Sequence, residues 1–259
     1  MILRERQDRI VRALRSDGAA SVHELARALK VSASTIRRDL DLLDRNGELT
    51  RTYGGAVLRP GETVGEHGEV GRIEGAFSAD SDLELKQAMA VLAAALVADE
   101  TVVLLDIGTT TPLIARQLRG RPVTVITSSL AVLDELRDDS SVRLVMLGGV
   151  LRRNYRTFVG SLTEHALTQV SADAVFLSCT GVRPSGYVVD NMAVEAPIKQ
   201  SMIAAADRVV LLASEAKFPG TGALRLCALS DVDYLVTTSG ADEQTLDLCR
   251  QAGGEVVMA

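Results

Sequence analysis

Two groups of residues in this chain of 259 have the types and spacing to engage anions. The first is Ser34-Thr35-Ile36-Arg37-Arg38. On a helix whose apolar side is buried, such arginines can donate paired hydrogen bonds to guanine O6 and N7, while hydroxyls hold phosphates. The second is Asp106 followed by Gly108-Thr109-Thr110-Thr111-Pro112. A glycine and threonine run that opens a helix offers free backbone N–H groups, hydroxyl donors and the positive end of a helix dipole, a combination suited to phosphate. Each group also has a plainer alternative: a charged helix face that is only solvated, and a turn with its cap.

The elements around the first group must present it outward. Leu25, Ala28 and Leu29 recur at helical spacing and are expected to face a core, with Ser21 placed to cap that helix. A turn falls at Lys30 and Val31, and Ser32 is expected to cap a second helix. Ile36, Leu40 and Leu43 form its inner stripe. Its outer face carries Ser34, Arg38, Asp41 and Arg45, with Arg37 on the flank. Asn46-Gly47 ends the helix, and residues 48–53 alternate as a short strand. Gly54-Gly55 then turns the chain into Ala56-Val57-Leu58, a hairpin the size of the wing in winged helix-turn-helix domains, from whose edge Arg51 can reach a phosphate. A helix over residues 3–16, with Ile10, Val11 and Leu14 inward, completes this small domain.

Residues 60–82 contain Gly61, Gly65, Gly68, Gly71 and Gly75 in a polar, acid-leaning stretch and read as a flexible linker. Beyond it, helical and strand patterns alternate. A helix is expected over residues 85–97, and nearly all-apolar strands over 101–106, 123–127, 142–147, 174–177, 208–213, 234–237 and 255–258. Such runs predict a doubly wound α/β domain whose mostly parallel sheet is covered on both faces, with ligands at the strands' carboxyl ends. The expected division is therefore 1–59 for DNA binding, 60–82 for the linker and 83–259 for a ligand-binding α/β domain, to which the family resemblance given below adds effector sensing and oligomerisation. The carboxyl ends carry Asp106, Gly108 with Thr109, Thr110 and Thr111, then Ser128-Ser129, Gly148-Gly149, Thr180-Gly181, Ser214, Lys217 and Thr237-Thr238-Ser239. Lys217 is one of only four lysines beside 24 arginines. It is either a ligand contact or solvated. Arg152, Arg153 and Arg156 either reach a ligand anion or face an acidic neighbour, and a surface role is the simpler expectation.

Charge is divided unevenly along the chain. Residues 1–59 hold 12 Lys and Arg against 8 Asp and Glu, a net of +4, whereas the remainder holds 16 against 26, a net of −10. Nucleic-acid contact is thus expected at the front, and the modest excess suits a homo-oligomer, a dimer or tetramer, that adds phosphate contacts. Cys179, Cys227 and Cys249 lie far apart in apolar segments and read as core thiols. His23, His67 and His165 are equally scattered, so neither a metal nor another cofactor is expected. The longest apolar runs, such as 89–98, are too short to cross a bilayer, which points to a cytoplasmic protein with no membrane partner.

The run from Ser34 to Leu40, the later Arg51-Thr52-Tyr53-Gly54-Gly55-Ala56 and the opening Glu5-Arg6-Gln7-Asp8-Arg9-Ile10 together resemble the DNA-binding domain of DeoR-family bacterial transcription regulators across residues 3–58. Residues 83–240 resemble that family's sugar-phosphate-sensing domain. The matching pieces are residues 104–111, Val125-Ile126-Thr127-Ser128-Ser129-Leu130, Leu147-Gly148-Gly149, Val159-Gly160, Glu195-Ala196 with Lys199, and Lys217-Phe218. The resemblance implies a fold similar to sugar-phosphate isomerases, a phosphate cradle at Gly108 with Thr109, Thr110 and Thr111, and Asp106 and Lys217 near the sugar. Two positions depart from the family's pattern. Ser128 stands where Asn is usual, and Ser214-Glu215-Ala216 where Asp-Ser-Ser is usual. They leave open a different sugar, a non-phosphorylated effector or a weak site.

The expected function is a sequence-specific transcription regulator and not an enzyme: a repressor of carbohydrate-metabolism genes, released from double-stranded operator DNA by a phosphorylated sugar or related metabolite. Ser34 and Arg38 are the expected base-edge contacts, and Thr35, Arg37 and Arg51 the phosphate contacts. The alternative is a sugar-phosphate isomerase with a DNA-binding appendage, in which Asp106, Glu195 and Lys217 supply acid and base.

Overall fold

A computed structural model describes residues 6–7, 9–10, 19–29, 31–45, 49–52, 55–58 and 83–259. The chain divides into two compact units, residues 1–78 and 79–259. The expectations for Asn46-Gly47, for the linker over 60–82, for most of the 3–16 helix and for the side chains of Ser21, Arg45 and Arg51 lie outside the described residues.

The first unit contains β1 (Ala19–Ser21), α1 (Val22–Leu29), α2 (Ala33–Arg45), β2 (Leu49–Thr52) and β3 (Gly55–Leu58). The strands form an antiparallel sheet in the order β1-β3-β2. Ile10, Val22, Leu25, Ile36, Leu40, Leu43 and Ala56 close its core. The inner stripe of α2 is thus the one its spacing predicts. Ala28 departs from expectation and is exposed. Val22, Leu25, Ala26 and Leu29 set the inner arc of α1, and at about 100° per residue Ala28 falls beside that arc.

In the second unit, seven strands form one wholly parallel sheet. They are β4 (Val102–Leu105), β5 (Thr124–Thr127), β6 (Arg143–Met146), β9 (Ala174–Ser178), β12 (Val209–Leu212), β14 (Tyr234–Thr237) and β15 (Glu255–Met258). Their order is β15-β14-β12-β9-β4-β5-β6. Successive residues point to opposite faces. Leu104, Leu177, Leu211 and Leu235 join one apolar cluster, and Leu105, Phe176, Leu212 and Val236 the other. Helices α3 (Leu83–Ala95), α4 (Thr111–Leu118) and α5 (Leu130–Leu136) cover the second cluster; α6 (Ser161–Leu167), α7 (Ala196–Ala204) and α8 (Glu243–Gln251) cover the first. The chain runs outward from β4 through β5 to β6, then returns to β9 on the other side of β4. The order reverses between β4 and β9, where a doubly wound sheet opens its ligand crevice.

Two antiparallel additions go beyond the sequence reading. One is a hairpin of β7 (Val150–Arg152) and β8 (Thr157–Val159). The other is a sheet of β10 (Gly181–Val182), β11 (Tyr187–Asp190) and β13 (Leu224–Ala228). Most of these strands are too short to show a period. Among the described residues, no helix is long and apolar enough to cross a membrane.

Candidate functional site

On the first unit the site is a surface. Ile36, Leu40 and Leu43 anchor α2 in the core, so Ser34, Arg37 and Arg38 stand exposed on its other side. Ser32 caps the helix: its Oγ accepts the Thr35 amide at 3.2 Å and lies 2.8 Å from both Ser34 Oγ and Thr35 Oγ1. Thr35 is half-buried. Asp39, one residue beyond Arg38, is turned inward and buried, where Arg6 Nη2 donates to its Oδ1 at 3.0 Å. That part-buried pair ties the first helical residues to α2, and sequence reading missed it. Arg51 lies on β2 opposite Ala56 of β3.

On the second unit the site is a buried charge cluster at the point where strand order reverses. Asp106 follows β4, and its Oδ2 accepts the Ser178 amide at 3.0 Å and lies 2.7 Å from Ser178 Oγ. Lys199 of α7 reaches the same carboxylate at 3.3 Å, and donates to Asp190 Oδ2 at 2.8 Å and to the Ser178 carbonyl at 2.9 Å. The other Asp190 oxygen accepts the amides of Asn191 and Met192 at 2.7 and 3.0 Å. Asp106 Oδ1 is buried with no partner. An orphaned carboxylate oxygen is costly in the interior, and a ligand hydroxyl would satisfy it.

Burial works against the Lys199 ammonium, but Asp106, Asp190 and Glu195 outweigh it and raise its pKa, so it stays charged. Burial pushes the Asp106 carboxyl up, against Lys199 and Ser178. Glu195, just before α7, is pushed up to about 7, chiefly by burial, with Lys199 and Arg152 opposing.

Beside Asp106 the chain turns sharply. Gly108 has φ +154°, and a Cβ there would lie 2.7 Å from Ser178 Oγ, so the position requires glycine. Among the described residues, the amides of Gly108, Thr109 and Thr110 meet no protein acceptor before α4 begins. Pro112 occupies the first turn of α4, where its missing N–H costs nothing. Thr111 is fully committed, because its Oγ1 donates to the Asp106 carbonyl at 2.7 Å. Thr110 is buried and Thr109 half-buried.

The other expected site residues divide between scaffold and rim. Ser128 is buried with its Oγ 3.2 Å from Thr157 Oγ1, and Ser129 caps α5 by accepting the Val132 amide at 3.4 Å. The Gly148 carbonyl accepts from Thr163 Oγ1 at 2.8 Å, and a Cβ on Gly149 would strike that oxygen at 2.2 Å, so Gly149 lets the chain press against α6, whereas a side chain at Gly148 would meet open space. Lys217 sits half-buried on a 3-10 turn after β12, close enough for its charge to act on Cys179. Of the arginine cluster, Arg152 pairs with Glu195 and Arg156 with Asp134, so both face acidic neighbours. Burial pushes the Cys179 thiol up to about 11, and Cys179, Cys227 and Cys249 are all unbridged. A cavity of about 230 Å³ beside Tyr187, Leu229 and Leu248 touches none of these groups.

Sequence reading missed Ser178, Asp190 and the pairing role of Lys199. A signal existed for Lys199: it shares the buried side of α7 with Ala196, Ile198 and Met202, and a lysine on an apolar stripe must find carboxylates.

Comparison with known proteins agrees along the whole chain. Residues 6–60 match the family described as a DeoR-like helix-turn-helix domain, and residues 81–239 the DeoR C terminal sensor domain. Among curated proteins, the chain is 29% identical to the L-fucose operon activator of Haemophilus influenzae, over 95% of this chain and 96% of that one. It is 30% identical to a putative aga operon transcriptional repressor of Escherichia coli O157:H7, over 98% of this chain and 93% of that one. Among solved structures it is similar to ribose 5-phosphate isomerase A from Methanocaldococcus jannaschii, with TM-score 0.40, 20% identity and coverage of 53% of this chain and 55% of that one.

Proposed function

The chain belongs to the DeoR family of helix-turn-helix transcription regulators, and on that premise we propose that it represses carbohydrate-metabolism genes until a phosphorylated sugar binds its α/β unit. The observation that carries the effector half is the conjunction at the β4 end: three unengaged amides at the start of α4 beside the buried, unpartnered Asp106 Oδ1. The amides suit a phosphate, and the carboxylate oxygen suits a sugar hydroxyl. In this reading Gly108, Thr109 and Thr110 hold the phosphate. Asp106 and Lys217 meet the sugar, and Thr111, Ser128, Ser129, Gly148 and Gly149 keep the surrounding loops in place.

On the DNA side, Arg38 and Ser34 read base edges, and Thr35, Arg37 and Arg51 hold phosphates. The protein works as a homo-oligomer, which spaces two winged helices to match operator half-sites. The sugar phosphate binds the DNA-incompetent arrangement more tightly and so shifts the population off the operator.

The test is selection of genomic fragments on the purified full chain, with and without a panel of hexose and pentose phosphates. Enrichment of discrete promoter fragments that at least one sugar phosphate abolishes is the expected result. Binding no better than to bulk genomic DNA, with every metabolite tried, contradicts the proposal. Turnover of a sugar phosphate by the same preparation would favour the isomerase alternative.

A further inference from the structure

One ion pair bridges two segments at the carboxyl end of the sheet. Arg152 ends β7, and its Nη1 donates to Glu195 Oε1 in the segment before α7, 43 positions along the chain. The two strands of the hairpin are held very differently. β8 is anchored, since Val159 enters the apolar core and Thr157 Oγ1 donates to the Ser128 carbonyl at 3.0 Å. β7 pairs with β8 alone, contributes no residue to either apolar cluster, and leaves Val150 63% and Leu151 39% exposed. A strand held this lightly is one whose polar ties decide whether it stays closed.

The groups around Glu195 come from four directions. They are Arg152 of β7, Lys199 of α7, Asp106 after β4 and Asp190 at the end of β11. Three carboxylates thus share two cations in a buried setting. Glu195 is also the carboxylate nearest the rim, bonded to an arginine whose side chain is 20% exposed.

We propose that the Arg152–Glu195 pair is a proton-controlled clasp: ionised Glu195 holds β7 down through the guanidinium, and protonated Glu195 releases it. A solvent proton goes onto the Glu195 carboxylate, which removes the counter-charge it gave Arg152; the guanidinium keeps its stack on Tyr155, 3.8 Å from the ring, and can turn to an anion beside Asp106. Burial that pushes Glu195 up to about 7 puts this exchange near neutrality. An anion that draws Arg152 away removes a charge that favours ionised Glu195, so anion binding and proton uptake reinforce each other. This last step rests on the effector reading above; the clasp itself does not.

The test is amide hydrogen exchange on the full chain at about pH 6 and about pH 8, corrected for intrinsic rates, comparing wild type with Glu195→Gln and Arg152→Gln. Peptides covering β7 are the readout, and those covering β4 and β12 report whether the sheet is intact. In wild type, protection of β7 should be several-fold lower at the acid value. In both variants it should be low at both values. Equal protection of wild-type β7 at the two values overturns the clasp, as does a wild-type pH response that survives in Glu195→Gln. Should either variant fail to protect β4 and β12, the wild-type comparison and the other variant decide. A parallel titration with hexose phosphates, pentose phosphates and inorganic phosphate separates the two ideas. Binding without pH-dependent protection sinks the clasp alone, and pH-dependent protection without binding sinks the effector reading alone.

Discussion

The outer face of α2 and the cluster behind β4 both depend on charged side chains, but they treat water in opposite ways. Arg37 and Arg38 stay exposed because Ile36, Leu40 and Leu43 take the inward positions. Their charges cost little to keep and are open to an incoming phosphate or base. Lys199, Asp106 and Asp190 are buried, and the lysine pairs with both carboxylates. Buried charge must be satisfied within the fold, and within this cluster Asp106 Oδ1 is left without a partner, which is why the proposed effector is placed against it.

That contrast can be broken most forcefully at Lys199. Lys199→Met leaves Asp106 and Asp190 buried without their cation and should destabilise the second unit by about 3–5 kcal/mol, read by thermal or urea unfolding. A loss within about 0.5 kcal/mol would mean the cluster is wet. Glu195 gives the next effect, and its sign follows from the raised value. Folding strengthens proton binding at this carboxyl, so its contribution is fully present below the unfolded value of 4.5 and is lost as pH rises through about 7. Wild type should therefore lose up to about 3 kcal/mol across that window relative to Glu195→Gln, a ceiling that follows from the pKa shift and is reduced by exposure.

Arg38→Ala should instead leave stability within about 0.5 kcal/mol while costing about 1–3 kcal/mol of discrimination between operator and random DNA. Competition binding measures it, and equal losses on both DNAs would reassign Arg38 to phosphate. Smallest is Ser32→Ala, which removes the cap on α2 and should cost about 1 kcal/mol of stability in the first unit.

The two regions also differed in how much their sequence disclosed. The winged helix was legible because its periodicity is local: Ile36, Leu40 and Leu43 recur within one helix, and Ser32 sits where a cap must. The seven central strands were legible for a related reason, since strands covered on both faces read as unbroken apolar runs. The cluster was only half legible. Asp106 and Gly108 announce themselves beside the threonines, whereas Ser178 meets Asp106 from 72 positions away and Asp190 carries no local pattern. Only tertiary folding brings them together. The inward turn of Asp39 beneath the exposed Arg38 was hidden for the same reason, because its partner Arg6 lies 33 positions earlier.

In the proposed mechanism, occupancy of the buried cluster governs what the exposed helix can hold. The most direct measurement is operator affinity of the full chain, by fluorescence anisotropy, on a promoter fragment it selects, while a sugar phosphate that stabilises the protein is titrated in. The expected result is a saturable fall in affinity that Gly108→Ala abolishes without lowering affinity for the fragment in the absence of sugar phosphate. Operator affinity that stays constant while the sugar phosphate demonstrably binds would contradict it.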